Sequence, residues 1–309
     1  MRVALIPTGK LEMLGLAKGL ASLFGDEHEF VCIPRRRDQP DEPFPSFTSA
    51  RLPVPSQRER RSPLSNLVAV MVDALWTDGY DLAVVLDDLE LCNMGNEQVV
   101  VGEFRDAVAR HLHWVADRDT KLLRELGDRL RACGSFHLIS PMIESWIFAD
   151  PAGPANAGVP SLHLPPRLLQ GRDPESFFAD DPDYITDDGA ACTKWMSLTI
   201  SYRERQRPEW LKATYPRQIH PKRYLSWLCR DPGARNCSSF TERTASNALV
   251  RLSWTQVLQN PCHMAYARSL ICDLADGLGG AHSGLDLGGL QAPLTAIHTT
   301  RAEPVLRNL

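Results

Sequence analysis

The chain has 309 residues, 43% of them hydrophobic and 23% charged, enough to bury a full core in one large domain or two ordinary ones, and too apolar for a disordered chain. A formal net charge of -4 with a pI near 6.1 excludes a globally basic nucleic-acid coat, although it leaves room for a local basic patch. The apolar start Val3 to Ile6 is too short for a secretory segment and no later stretch is long enough to span a bilayer, so a cytoplasmic protein without a membrane partner is expected. The cysteines, at 32, 92, 133, 192, 229, 237, 262 and 272, form no Cys-x-x-Cys pair; neither a disulfide framework nor a zinc knuckle is indicated, and most read as small core residues.

Val3 to Ile6 reads as a short buried strand, followed by a turn at Pro7-Thr8-Gly9 and a helix from about Leu11 to Phe24. Phe30 to Ile33 reads as a second strand, giving a β-α-β opening that favours parallel pairing. From Pro34 to Pro63 the chain is proline-rich, carries the clusters Arg35-Arg36-Arg37 and Arg58 with Arg60-Arg61, and has the composition of a long, mobile loop. Ser62-Pro63 then supplies a helix start, with Ser as N-cap and Pro in the first turn. Asp81 to Leu86 is the clearest strand, nearly all apolar and therefore buried on both faces, and it runs straight into Asp87-Asp88-Leu89-Glu90. Helical patterns follow at about 97 to 116 and 120 to 132, a strand at 136 to 139, and a helix opened by Ser140-Pro141 that carries Glu144, Trp146 and Asp150. A Pro-, Gly- and Asp-rich stretch from 150 to about 193 marks a boundary, and short helices at about 221 to 229, 239 to 252 and 264 to 278 lie beyond it. The expected fold is α/β, a mainly parallel Rossmann-like sheet flanked by helices over 1-150, with a mostly helical region over 151-309 that completes or flanks it.

In open parallel sheets ligands collect outside the carboxyl ends of the strands, where loops and helix N-termini converge. Asp87, Asp88, Glu90, the turn from Pro7 to Glu12, and Glu144 all belong at such ends. Several carboxylates gathered there repel one another unless a hard divalent cation such as Mg²⁺ neutralises them, which makes a metal site the economical explanation. The structural alternatives stand beside it: Asp87, Asp88 and Glu90 as solvated turn or capping acids, Glu144 as a first-turn acid favoured by the helix dipole, Glu242 as the acid of a capping box Ser239-Phe240-Thr241-Glu242, and His220 as an ordinary residue before Pro221.

These residues resemble a bacterial Toprim-like family of unknown function, related to the Toprim domains of overcoming-lysogenization-defect nucleases, topoisomerases and primases and often associated with phage-defence loci. The resemblance runs from the first strand to about Leu278. It rests on the turn Thr8-Gly9-Lys10-Leu11-Glu12 in place of a Glu-Gly-x-x-Glu turn, on Asp88-Leu89-Glu90 in place of Asp-x-Asp, on Glu144-Ser145-Trp146-Ile147-Phe148-Ala149-Asp150, and on His220-Pro221-Lys222. It implies metal-dependent phosphodiester chemistry, with Asp88 and Glu90 holding Mg²⁺ or Mn²⁺, with Glu12, Asp87 and Glu144 completing the ligand set or acting as acid and base, and with His220 and Lys222 contacting phosphate. The implied partners are nucleic acid and a partner protein of a defence system. One departure bears on activity: Thr8 stands where the first acid of the turn belongs, so a non-catalytic, Toprim-derived binding or scaffold subunit is the competing expectation.

Two further readings weigh the surface and the core. The arginine clusters could form a basic patch for phosphates, or be a solvated loop. Trp195, Trp210, Trp227 and Trp254 could stack on bases, with core packing the favoured alternative. Pro7-Thr8-Gly9-Lys10 lacks the upstream Gly and the following Ser or Thr of a P-loop, and no GxGxxG follows the first strand.

Overall fold

The computed structural model describes residues 1–117, 119–212, 215–260, 264–280 and 304–309. The chain forms two compact units, one made of residues 1–140 with 265–309 and the other of 141–264, so the division falls at Ser140 rather than at 150, and the chain returns to the first unit at Ala265. Among the described residues no helix is long and apolar enough to cross a membrane.

The first unit is built on strands β1 (Arg2–Pro7), β2 (Glu29–Cys32), β3 (Leu82–Asp88) and β4 (Gly134–Ile139), all parallel and in the order β2-β1-β3-β4. Val3 to Ile6 and Ala83 to Leu86 are buried on both faces, which is why these strands read as continuous apolar runs rather than as alternating ones. Helix α1 (Lys10–Phe24) carries the chain from β1 to β2, α2 (Pro63–Trp76) carries it back past β1 to β3, and α3 (Glu97–Ala116) and α4 (Thr120–Cys133) join β3 to β4. Helix α2 starts as the sequence indicates, with the Ser62 hydroxyl accepting from the Ser65 amide at 3.1 Å and Pro63 in the first turn. Because β1 leads to β2 on one side while β3 lies on the other, the strand order reverses between the carboxyl ends of β1 and β3.

The core on one face of the sheet gathers Phe47, Phe104 and Phe136, the last two stacked with centroids 4.0 Å apart. The described C-terminal residues close the free edge of β4: the Asn308 carboxamide accepts from the Phe136 amide at 3.1 Å and donates to its carbonyl at 2.7 Å, which mimics a neighbouring strand. Leu306 and Leu309 are buried beside it. The helix Ala265–Gly277 packs on β4 and sets Asp273 3.1 Å from His137, both buried.

The second unit is a set of short helices around an aromatic core. Helix α5 (Glu144–Ala149) places Trp146 edge-on to Trp254 at 6.0 Å, and Tyr224 lies 4.9 Å from Tyr184 and 5.8 Å from Trp227. Trp195, Trp210, Trp227 and Trp254 are all buried, so they pack the interior rather than offer faces for bases. One cysteine expectation is corrected: Cys192 and Cys237, 45 residues apart in sequence, form a disulfide, and both are buried. Cys262 lies outside the described residues.

Candidate functional site

In the first unit β1 continues its pairing beyond Pro7, with the Thr8 amide donating to the Leu86 carbonyl at 3.1 Å, and this brings Thr8 beside Asp87 at the point where the strand order reverses. Asp87 is fully buried; Thr8 Oγ1 donates to its Oδ1, and the Phe47 amide donates to Oδ2 at 3.2 Å. Burial pushes the Asp87 carboxyl up to about 6, opposed by hydrogen bonds from Thr8, Ser46, Phe47 and Thr48. Each carboxylate oxygen therefore already has a neutral protein donor. A glutamate at position 8 would set two carboxylates against each other and call for a cation; a threonine supplies the donor directly.

The segment that reaches Asp87 belongs to the stretch the sequence reads as a long, mobile loop, and this part of it is anchored. The Asn93 carboxamide donates to the carbonyls of Thr48 at 2.7 Å and Ala50 at 3.1 Å and accepts from the Leu52 amide at 2.9 Å. Asn96 donates to the Leu52 carbonyl at 2.8 Å, Gln57 donates to the Phe47 carbonyl at 3.3 Å, and Thr48 Oγ1 donates to the Asp88 carbonyl. Phe47 itself is fully buried, 6.1 Å from Phe104 and 5.9 Å from Phe136 between centroids, a burial that contributes about 2–3 kcal/mol. At the carboxyl ends of β1 and β3, the usual ligand position of such sheets, the chain's own residues 46–48 bind Asp87 and Asp88.

The remaining acids of this unit divide. Glu12 is buried in the first turn of α1, and its carboxylate folds over Gly9, where a Cβ would overlap it. That is the position from which an acid faces the unpaired amides of a helix start. Asp88 and Glu90 are half-buried, and Glu90 has φ 59° and ψ 150°, a backbone conformation ordinarily left to glycine. A divalent metal does not fit Asp87 well, because both of its oxygens are engaged by protein donors, and the Glu12 carboxylate lies over Gly9 at the start of α1. Among the described residues no group of three or more His, Cys, Asp or Glu is arranged to hold a metal ion.

Glu144, His220 and Lys222 fall in the second unit, and the structure brings two of them together. Glu144 opens α5 and is buried; Lys222 Nζ lies 3.9 Å from its Oε1 and donates to Glu242 Oε1 at 2.7 Å. Burial raises the Glu144 carboxyl, Lys222 lowers it, and Glu242 raises it again. The capping-box reading of Glu242 is corrected: the N-cap is Thr241, whose hydroxyl accepts from the Thr244 amide at 3.1 Å, and Glu242 is free to bind the lysine. His220 precedes the helix Pro221–Leu228 without a side-chain cap bond; it is buried, its Nδ1 has no hydrogen-bond partner among the described residues, and burial with Arg223 and Lys222 nearby pushes it down to about 3. The other members of the Glu-x-Trp-x-x-x-Asp segment are clamps: Trp146 Nε1 donates to Glu175 at 3.1 Å, and Asp150 accepts from the amides of Ala152 and Ser253, both at 2.9 Å.

Lys222 and Glu242 line a cavity of about 360 Å³ together with Arg205, Arg207, Glu209 and Lys212. The sequence reading passed over these arginines, although three in five residues from Arg203 to Arg207 were a legible signal. The clusters it did single out have partners within the chain: Arg35 and Arg36 lie 3.2 and 3.7 Å from Glu42, Arg58 lies 2.9 Å from Glu103, and Arg60 sits over Trp114 at 5.5 Å.

The first unit thus defines an α/β protein with a four-stranded parallel sheet and acidic residues at the end of a central strand. No protein-family model matches the chain, and no curated protein and no solved structure gives a significant match.

Proposed function

We propose that this chain is a Toprim-derived binding or scaffold subunit of a nucleic-acid-processing defence complex, and that its β1–β3 crevice serves architecture rather than metal-dependent cleavage. The observation that carries this reading is Asp87: a buried carboxylate satisfied by Thr8 and by the Phe47 amide, at the place where the resemblance calls for a metal-bound acid. Thr8 substitutes a hydroxyl donor for the missing acid, and residues 46–48 bind where a ligand would enter. The rival reading, a Mg²⁺- or Mn²⁺-dependent nuclease using Asp88 and Glu90, draws its support from the glycine-like backbone of Glu90, since such outliers cluster at functional sites.

Incubation of the purified protein with plasmid DNA and with single-stranded RNA, in Mg²⁺ and in Mn²⁺, separates the two. The expected result is no metal-dependent cutting of either substrate and no difference from an Asp88→Asn, Glu90→Gln double variant. Cutting by the wild type that the double variant abolishes would overturn the proposal and restore the nuclease.

A further inference from the structure

The second unit carries a site of different chemistry. The cavity of about 360 Å³ is walled by four cationic side chains, Arg205, Arg207, Lys212 and Lys222, against two carboxylates, Glu209 and Glu242. The carboxylates are occupied by the lysines: Lys212 lies 2.8 Å from Glu209, and Lys222 lies 2.7 Å from Glu242. The two arginines carry the excess charge. Arg205 has no carboxylate within ion-pair distance among the described residues, its guanidinium lying over the Tyr202 ring at 5.0 Å, and Arg207 has only a loose pairing with Glu204 at 3.9 Å.

A guanidinium is a fork of donors with no acceptor, and two of them beside a cavity select a ligand with several acceptor oxygens. The volume lies within the range of about 300–1,000 Å³ typical of small-ligand sites, more than a bare inorganic anion needs. The remaining wall supplies hydroxyls and a side-chain amide from Ser226, Asn236, Ser238 and Thr241, and one apolar face, Phe240, on which a flat ring can lie. We infer that this cavity binds a phosphate-bearing ligand with a nucleotide-like body, the phosphate on Arg205 and Arg207 and the body against Phe240. Lys222, shared between Glu144 and Glu242, positions the inner wall. This inference does not rest on the role assigned to the β1–β3 crevice, because every residue in it belongs to the second unit.

The test titrates adenosine 5′-monophosphate and, separately, a short single-stranded oligonucleotide into the full-length protein and into an Arg205→Ala, Arg207→Ala double variant, by calorimetry. Both arginines are exposed, so the variant keeps its fold, which circular dichroism checks. The expected result is saturable binding that the double variant weakens at least about tenfold and that falls with added salt. Saturation by the mononucleotide assigns a free nucleotide as the ligand, and saturation by the oligonucleotide alone assigns the phosphodiester of a strand. Absence of saturable binding by either, or binding unchanged in the double variant, overturns the inference.

Discussion

Two buried acids, one in each unit, show how differently the same residue type can be used. Asp87 is enclosed by neutral donors, among them the Thr8 hydroxyl just past β1 and the Phe47 main-chain amide of the 46–48 segment. Glu144 is buried as well, but it faces a lysine that lines a charged cavity and is shared with a second acid. A carboxylate whose donors all come from the fold is an anchor. One whose partner is a half-exposed cation stays coupled to whatever enters beside it.

Breaking the first half of the comparison should have the largest effect. Asp87→Ala leaves the buried Phe47 amide and the Thr8 hydroxyl without their acceptor, and a loss of about 2–4 kcal/mol in urea denaturation is expected. An acid kept only to bind metal would give a neutral or stabilising change instead.

Asp87 and His220 should also answer pH with opposite signs. The Asp87 carboxyl holds its proton more tightly when folded, with a pKa raised from 3.8 to about 6, so its contribution is greatest in acid and declines as pH rises from about 4 to about 6. His220 is buried neutral, lowered from 6.5 to about 3, so its contribution is present above about pH 6.5 and is lost as pH falls towards 3. Urea midpoints measured across this range should show Asp87→Asn removing a gain on acidification and His220→Asn removing a loss. Identical slopes in the two variants would contradict the assignment.

The smallest change sharpens the second half. Glu242→Gln releases Lys222 from its half-exposed partner, and a stability cost below about 1 kcal/mol is expected in thermal denaturation. A cost of several kcal/mol would make the lysine bridge a structural element rather than a movable wall.

The first unit was legible where local signals suffice. The apolar runs of β1 and β3 announce parallel strands buried on both faces, and Ser62-Pro63 announces the start of α2, because both depend on neighbours in sequence. What was hidden depends on distance. The anchoring of 48–52 by Asn93 spans some forty residues, the Cys192–Cys237 pair spans 45, and a proline-rich composition gives no hint that Phe47 is a core residue. Asp87, Asp88 and Glu90 were placed correctly at the end of β3, yet which of them is enclosed follows from the pleat register and could not be read from the order of residues. Glu144 and Lys222 were both singled out, but their pairing through Glu242 needed Thr241 as the cap rather than Ser239.

The proposal that the acids at the end of β3 hold no resident metal is tested most directly by titration of Mn²⁺ into the full-length protein, followed by the electron paramagnetic resonance of the free ion. The expected result is a free-ion signal that grows in proportion to added Mn²⁺, identical for the wild type and the Asp88→Asn, Glu90→Gln variant. Stoichiometric loss of the signal with the wild type, abolished in the variant, would contradict it.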